Sequence, residues 1–314
     1  MRVFLLGPTA SGKTEAAVAW AQRCGAEILS MDSMLVYRGM DLGTAKPSLE
    51  ERGGVPHHLM DLVEPHQEYS VSRWVEAAAA AEREVRARGR LPLYVGGTGL
   101  YFKAITAGLF EGPSVPPALR AAVEAELADG GRPALRAELS AGDPELHARI
   151  HAHDDKRLVR GVETLRATGR ALSDWQRQWP AGDKSIGEPA AALVWPRAVA
   201  HARIEARFDR MLADGLVDEV RAILGRGGFG RAASMALGYR QVLDHLAGRC
   251  SLADARQRAV ALTRRLVRRQ TTWLRSFPDL RWIEAAADDD VERLAARLER
   301  ALPAALGGPR QKRE

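Results

Sequence analysis

Cysteine is nearly missing from this chain. Only Cys24 and Cys250 occur in 314 residues, far apart and in no ligand pattern. A disulfide framework or a cysteine-built metal cluster is excluded, and a reducing compartment fits. Long apolar runs are missing as well, since none approaches the ~20 residues that span a bilayer. No basic-then-apolar leader precedes the apolar stretch at Val3, which speaks against a cleaved signal and for a cytoplasmic protein without a membrane partner. Internal repeats are absent, and the only biased tracts are Ala-rich helices. What remains is ordinary globular composition. Hydrophobic residues make up 46% and charged residues 27%, enough to bury a core in one large or two modest domains. The formal charge of +6 has the sign a polyanionic partner requires.

The most informative stretch is Gly7-Pro8-Thr9-Ala10-Ser11-Gly12-Lys13-Thr14, which reads G-x-x-x-x-G-K-T. Val3 to Leu6 before it has the length of a buried strand, and Glu15 to Gln22 after it reads as a helix. Strand, Gly-rich turn and helix form the context this phosphate-binding motif needs. Glycines let several N–H groups face one point, and the helix N-terminus adds partial positive charge. Lys13 supplies a mobile cation, and the Thr14 hydroxyl suits a phosphate or its Mg²⁺. The motif specifies phosphate without specifying the ester or the reaction.

Further strands repeat the theme. Glu27 to Ser30 runs into a long polar segment that starts at Asp32. In open α/β sheets, ligands sit at the carboxyl ends of strands, so Asp32 falls near the loop, with helix-capping or a turn as its structural alternative. His57 and His58 are adjacent, and adjacent side chains diverge, so strand and turn material is expected there rather than a metal site. Ser70 to Arg88 is helical and ends at Gly89. Leu91 to Val95 leads into Gly96-Gly97-Thr98-Gly99, where glycines signal close backbone approach. Two Gly-rich strand ends plus Asp32 are most economically one cleft.

Gly112 to Pro117 is a composition break. Residues 118 to 178 are strand-poor and rich in Ala, Leu, Glu and Arg, a helical insertion. His151-Ala152-His153-Asp154-Asp155 runs straight into a helix, so a cap by Asp154 explains it better than a metal. Pro180 to Glu188 reads as a hinge, and Ala192 to Trp195 as a returning strand. The expected layout is a core over 1–113, an insertion over 114–190, core completion over 191–306 and a tail over 307–314. Helices are expected from His201 to Leu224, from Ala236, over Leu252 to Phe277 and over Asp290 to Leu302, with a possible edge strand at Leu280 to Ile283. Thr263 to Arg275 contains five arginines and no acid. Like charges at i,i+4 cost helix stability. An Arg-only stripe beside Trp273 therefore favours nucleic acid, because Arg both forks onto phosphate and stacks on bases.

Taken together, GPTASGKT at Gly7, DSMLVYRGMDLGTAKP at Asp32, PHHLMD at Pro56, VGGTGLYFKA at Val95, KRLVR at Lys156, ALGYRQ at Ala236 and TRRLVRRQTTWLR at Thr263 resemble the bacterial tRNA dimethylallyltransferase (tRNA isopentenyltransferase) family, over nearly the whole chain and in order. The resemblance implies an α/β fold with a P-loop NTPase-like parallel sheet core, helices on both faces and a helical insertion domain. It implies a dimethylallyl transfer from dimethylallyl diphosphate to N6 of the adenosine beside the tRNA anticodon. Gly7, Pro8, Thr9, Ala10, Ser11, Gly12, Lys13 and Thr14 would then hold the pyrophosphate, with Mg²⁺ at Thr14. That fits the lack of a second nucleotide-triphosphate motif beyond a weak Leu59-Met60-Asp61. Asp32 matches the family's catalytic carboxylate, Thr14 joins it, and Arg203, or failing that Arg207, matches its pyrophosphate-facing arginine. By the same carry-over the tRNA is contacted or approached by Asp32, Ser33, Met34 and Leu35, by Thr98 and Arg120, and by Lys156, Arg157, Leu158, Val159 and Arg160. Met235, Gly238, Tyr239 and Arg240 follow, then Arg268, Arg269, Gln270 and Arg275. The insertion would clasp the anticodon stem-loop. Ala152 and His153 depart from the usual residues of the insertion motif, which touches only that cap. No zinc-binding extension is seen, so no zinc is expected, and the protein is expected to act as a monomer. Three other readings share the loop: a small-molecule P-loop kinase, a prenyltransferase acting on free AMP or ATP, and an RNA-binding module on a relic nucleotide fold. The Arg stripe argues against the first two, and intact Asp32, Lys13 and Thr14 argue against the third.

Overall fold

The computed structural model describes residues 1–108, 112–177 and 185–302. The tail from Gly307 and part of the expected hinge lie outside them. Two compact units are present. One is formed by Met1–Thr106 with the described residues after Lys184, and the other lies within Ala107–Asp183.

The first unit opens with β1 (Val3–Leu6), α1 (Lys13–Cys24), β2 (Ala26–Met31), β3 (His57–His58), α2 (Val71–Ala87), β4 (Leu91–Gly96) and α3 (Gly99–Ala107). Helices α4 (Pro117–Ala128), α5 (Arg132–Gly142), α6 (Pro144–Arg149), α7 (Asp155–Thr168) and α8 (Leu172–Gln176) make up the second unit. The first then resumes with β5 (Ala190–Val194), α9 (Arg197–Ala213), α10 (Leu216–Gly225), α11 (Arg231–Ser234), α12 (Tyr239–Leu246), α13 (Leu252–Leu274), β6 (Arg281–Glu284) and α14 (Val291–Ala301).

The strands form one six-stranded sheet in the order β3-β2-β4-β1-β5-β6, and every pairing is parallel. Parallel sheets are covered on both faces, which is why these strands read as unbroken apolar runs. The period of two assigns the faces. Val3 and Leu5 join Trp20, Leu294 and Leu298 in one apolar cluster, whereas Phe4 and Leu6 join Trp74, Phe208 and Tyr239 in another. Helices α1 and α14 therefore cover one face, and α2, α9 and α12 the other. The last strand, expected as an edge, occupies the sheet's margin beside β5.

The second unit has its own core of Val123, Leu135, Leu139, Leu146, Leu158, Val159 and Val162. Asp154 caps α7, its carboxylate accepting from the Arg157 N–H at 3.1 Å. Ser251 and Asp254 form a reciprocal capping box at the start of α13, the signature of a firmly begun helix.

Candidate active site

β1 ends at Leu6, and the chain curls through the phosphate-binding motif into α1. A side chain at Gly7 would sit 2.8 Å from both Leu193 O and Ser11 Oγ, so only glycine fits. Ala10 and Gly12 take left-handed backbone angles, φ 61° and 75°, and such angles turn successive N–H groups toward one concavity. From Ala10 to Thr14 those N–H groups meet no acceptor among the described residues. The Ser11 hydroxyl is buried there without a hydrogen-bond partner.

The loop is braced from outside by distant residues. Trp195 Nε1 donates to Ser11 O at 2.8 Å, Arg203 Nε donates to Ala10 O at 3.0 Å, and the Arg203 guanidinium lies 4.7 Å over the Trp195 ring. Gln270 Oε1 accepts from the Thr9 N–H at 3.0 Å. Lys13 Nζ donates to Pro8 O at 3.3 Å. Burial pushes the Lys13 ammonium down to about 8, against the attraction of Asp32.

Asp32 stands just past the end of β2, beside the loop that follows β4. Its Oδ1 accepts from the Met34 N–H at 2.8 Å, an Asx turn that orients the carboxylate. Thr98 Oγ1 accepts from the Ser33 N–H at 3.2 Å and joins the two strand ends. A single cavity of about 410 Å³ connects these groups. Thr9, Ala10, Asp32, Thr98 and Arg207 form its polar side, and Ile204, Phe208, Met211, Leu266 and Trp273 its apolar side. Arg203 and Arg207 lie one turn apart on α9, but they do different things. Arg203 donates from Nε to the loop backbone and lies over Trp195, its Nη2 close to Gly12, while Arg207 lines the cavity and donates from Nη2 to Thr44 O at 3.1 Å. Burial lowers the Arg207 pKa, and Asp32 is the first of the charges that oppose this.

The rim of the cavity is fastened by residues that sequence reasoning did not single out. Glu219 on α10 accepts from the N–H groups of Asp41, Leu42 and Gly43 at 3.0, 2.7 and 3.4 Å. Lys46 is buried and binds Tyr37 O, Asp61 and Asp41. Gly43 lies so close to Tyr239 that a Cβ would come within 2.4 Å of its ring. Neither Glu219 nor the apolar pair Phe208 and Met211 carries a local signal, because each sits in an unremarkable amphipathic pattern.

Residues 35–277 match the family model for IPP transferase, and residues 1–60 that for isopentenyl transferase. The chain belongs to the IPP transferase family. It is 47% identical to a tRNA dimethylallyltransferase of Ralstonia nicotianae over 309 residues, 96% of each chain. A tRNA dimethylallyltransferase of Anaeromyxobacter dehalogenans is 46% identical, over 95% of this chain and 99% of that protein. Among solved structures, the full-length tRNA isopentenylpyrophosphate transferase of Bacillus halodurans is 34% identical with a TM-score of 0.68, covering 95% of both chains. A eukaryotic dimethylallyltransferase acting on tRNA shares the fold at 22% identity, with a TM-score of 0.76 over 96% of this chain and 76% of that one.

In this family member the basic residues divide into free and engaged. On α13, Arg265, Arg268, Arg269 and Arg275 are exposed, and no acid pairs with them among the described residues. Arg264 and Arg256 of the same helix are paired with Glu205 and Asp209 of α9. Gln270 and Arg269 line the cavity, Gly238 does too, and Met235 and Arg240 are exposed. In the second unit Lys156 and Arg157 are exposed, with Arg157 paired to Asp154. Arg160 binds the buried Glu163 at 2.7 Å, and Arg120 lies 3.8 Å from it. Three of the residues expected beside tRNA lie beneath the surface. Tyr239 is wholly buried with its hydroxyl on Glu219, and Leu158 and Val159 are packed into the core of the second unit. Apolar burial claims these side chains, so none presents itself to a partner. No helix among the described residues is long and apolar enough to cross a membrane.

Proposed function

We propose that the protein transfers a dimethylallyl group from dimethylallyl diphosphate to N6 of the adenosine 3′-adjacent to the anticodon in tRNA, releasing pyrophosphate. The observation that carries this reading is one cavity in which Thr9 and Ala10 of the phosphate loop, Asp32 and Arg207 face an apolar wall. Its volume lies within the range of about 300–1,000 Å³ usual for small-ligand sites. A simple phosphoryl acceptor site has no use for Ile204, Phe208, Met211 and Trp273 together, whereas a five-carbon chain does.

The free N–H groups from Ala10 to Thr14 and the Lys13 ammonium hold the diphosphate. An acid-poor loop with a half-buried Thr14 and an orphaned Ser11 hydroxyl suits a Mg²⁺ held by Thr14 and phosphate oxygens. When bound, that ion supplies further positive charge at the pyrophosphate. The adenine is extruded from the anticodon loop into the cavity. As N6 bonds to C1 of the allyl group, the C1–O bond breaks and its electron pair leaves on pyrophosphate. Asp32 takes the N6 proton. Lys13, the loop N–H groups and Arg207 meet the departing charge, while Arg203 keeps the loop in shape. Arg265, Arg268, Arg269 and Arg275 hold the RNA backbone, joined by Arg240 and Met235. In the second unit Lys156, Arg157, Arg160 and Arg120 serve the anticodon stem. The protein works as a monomer in the cytoplasm.

The test is a mass measurement on the acceptor. The protein is incubated with dimethylallyl diphosphate, Mg²⁺ and unmodified tRNA, AMP or ATP. A prenyl gain on tRNA alone is the expected result. A gain on AMP or ATP alone would replace the acceptor with a free nucleotide. Asp32→Ala should lower turnover by about a thousandfold, within the usual reach of general base catalysis, and leave tRNA affinity within about threefold. Turnover near the original rate would remove Asp32 as the base.

A further inference from the structure

We infer that Gln270 is a positioning residue that sets the phosphate loop from the arginine-bearing helix, and so makes RNA and diphosphate binding cooperative. This rests on the function proposed above.

The Gln270 side chain spans two loops. Its Oε1 accepts from the Thr9 N–H at 3.0 Å, and its Nε2 donates to Gly97 O at 3.0 Å. Thr9 begins the curl of the phosphate motif, and Gly97 lies in the glycine turn after β4. Only a group with both a donor and an acceptor at one planar end can make this bridge, which is the chemistry of a carboxamide. The fit leaves no slack. A Cβ at Gly97 would lie 2.6 Å from Gln270 Nε2 and 2.7 Å from Gly7 O, so the two loops and the amide meet only because position 97 is glycine.

One turn further along α13, Trp273 repeats the contact. Its ring stands where a Cβ of Gly99 would be, 2.9 Å away. It packs edge-on against Phe102 and Phe277, with centroids 5.8 and 4.8 Å apart. The helix is therefore seated on both strand-end turns, by an amide at Gln270 and by an aromatic ring at Trp273.

The same turn carries the free charges. Arg268 and Arg269 directly precede Gln270 and are exposed, and Arg269 also lines the cavity. A phosphate drawn to these guanidiniums acts on the backbone that holds Gln270, one residue from the Thr9 contact. The Thr9 N–H is already satisfied by Gln270, so it stands apart from the unsatisfied N–H groups of residues 10 to 14. Gln270 thus fixes where the anion-binding part of the loop begins. If RNA steadies α13, it steadies this register. Coupling between two sites is reciprocal, so the diphosphate must in turn favour RNA.

Inorganic pyrophosphate is the probe. It is titrated by calorimetry into the whole protein with and without an anticodon stem-loop RNA, in wild type, Gln270→Met and Gln270→Glu. In wild type, RNA should raise pyrophosphate affinity about fivefold or more, in the range typical of coupled sites. Gln270→Met should reduce that gain to less than about twofold and raise KM for dimethylallyl diphosphate, by more than it changes affinity for RNA alone. Gln270→Glu keeps the volume and the acceptor for Thr9 but loses the donor for Gly97, so it should retain only part of the coupling. It also carries the test if thermal melting shows the Met variant unfolded. Loss of RNA affinity with unchanged pyrophosphate binding would make Gln270 a direct RNA contact and overturn the inference. Equal coupling in wild type and variants, or none in wild type, would overturn it too. Failure of the function itself reads out separately. Wild type would then prenylate no tRNA, while the pyrophosphate affinities of wild type and variants would still decide whether Gln270 sets the loop.

Discussion

Helices α7 and α13 look alike as strings of letters, each dense in arginine, yet they use their charges differently. On α7, Arg157 answers to Asp154, Arg160 to Glu163, and Arg166 to both Glu126 and Glu138. On α13, Arg264 and Arg256 are engaged by acids of α9, but Arg265, Arg268, Arg269 and Arg275 have no acidic partner among the described residues. By density of basic residues, four in 14 on α7 and six in 23 on α13, the two helices rank as equals. The pairing pattern ranks α13 first as a polyanion site, because a guanidinium already forked onto a carboxylate must break that bond to hold a phosphate.

The largest effect that could break this comparison is on RNA affinity. Arg268→Ala with Arg269→Ala should weaken tRNA binding at least tenfold at moderate salt. It should also lower the slope of log affinity against log salt by about 1.5, since each lost phosphate contact removes ~0.7–0.9. Arg157→Ala should cost less than about threefold. Equal losses in filter binding would mean that pairing to Asp154 does not occupy Arg157. Next comes a cation that no acid pairs with among the described residues. Lys13, held down to about 8 by burial, should give pyrophosphate affinity that is level below pH 8 and falls above it, approaching tenfold per unit. Lys13→Arg should abolish that fall, because arginine stays charged throughout. Fold stability moves the other way. Between about 8 and the ordinary lysine value of 10.5 the unfolded chain binds this proton more tightly, so the Lys13 contribution to stability rises with pH. Binding that stays level to pH 10 would show Lys13 to be solvated. The smallest effect sharpens the comparison. Glu205→Ala should release Arg264, tighten RNA binding about twofold and steepen the salt slope. No change would mean that Arg264 points away from RNA.

Much of the fold was legible, for physical reasons. A parallel sheet covered on both faces writes itself as short apolar runs, and the phosphate motif marks the turn between β1 and α1 by residues that little else requires. Asp32 was reachable through topology alone, since it follows a strand end. Long-range bracing was not reachable. Glu219 closes on the backbone of residues 41 to 43 from as many as 178 residues further along the chain, and nothing local distinguishes it from other helix acids. The burial of Tyr239, Leu158 and Val159 was not legible either, because a motif shared with a family does not separate exposed side chains from those that pack beneath them. Arg203 and Arg207 were left as alternatives in the sequence, and only the structure separates their places, one on the loop backbone and one at the cavity.

The position of β1 has a consequence for how the protein is made. This strand carries the phosphate loop and lies between β4 and β5, but β5 begins only at Ala190. A ribosome adding roughly 5–20 residues per second needs about 5–20 s to pass from the end of β4 to that strand. Throughout that interval β1 has a partner on one side only, and the open side is a template for pairing with other chains. The helical unit is synthesised during the wait. A chain cut short after it would keep the phosphate motif intact and leave its strand half-paired, a fragment inclined to aggregate.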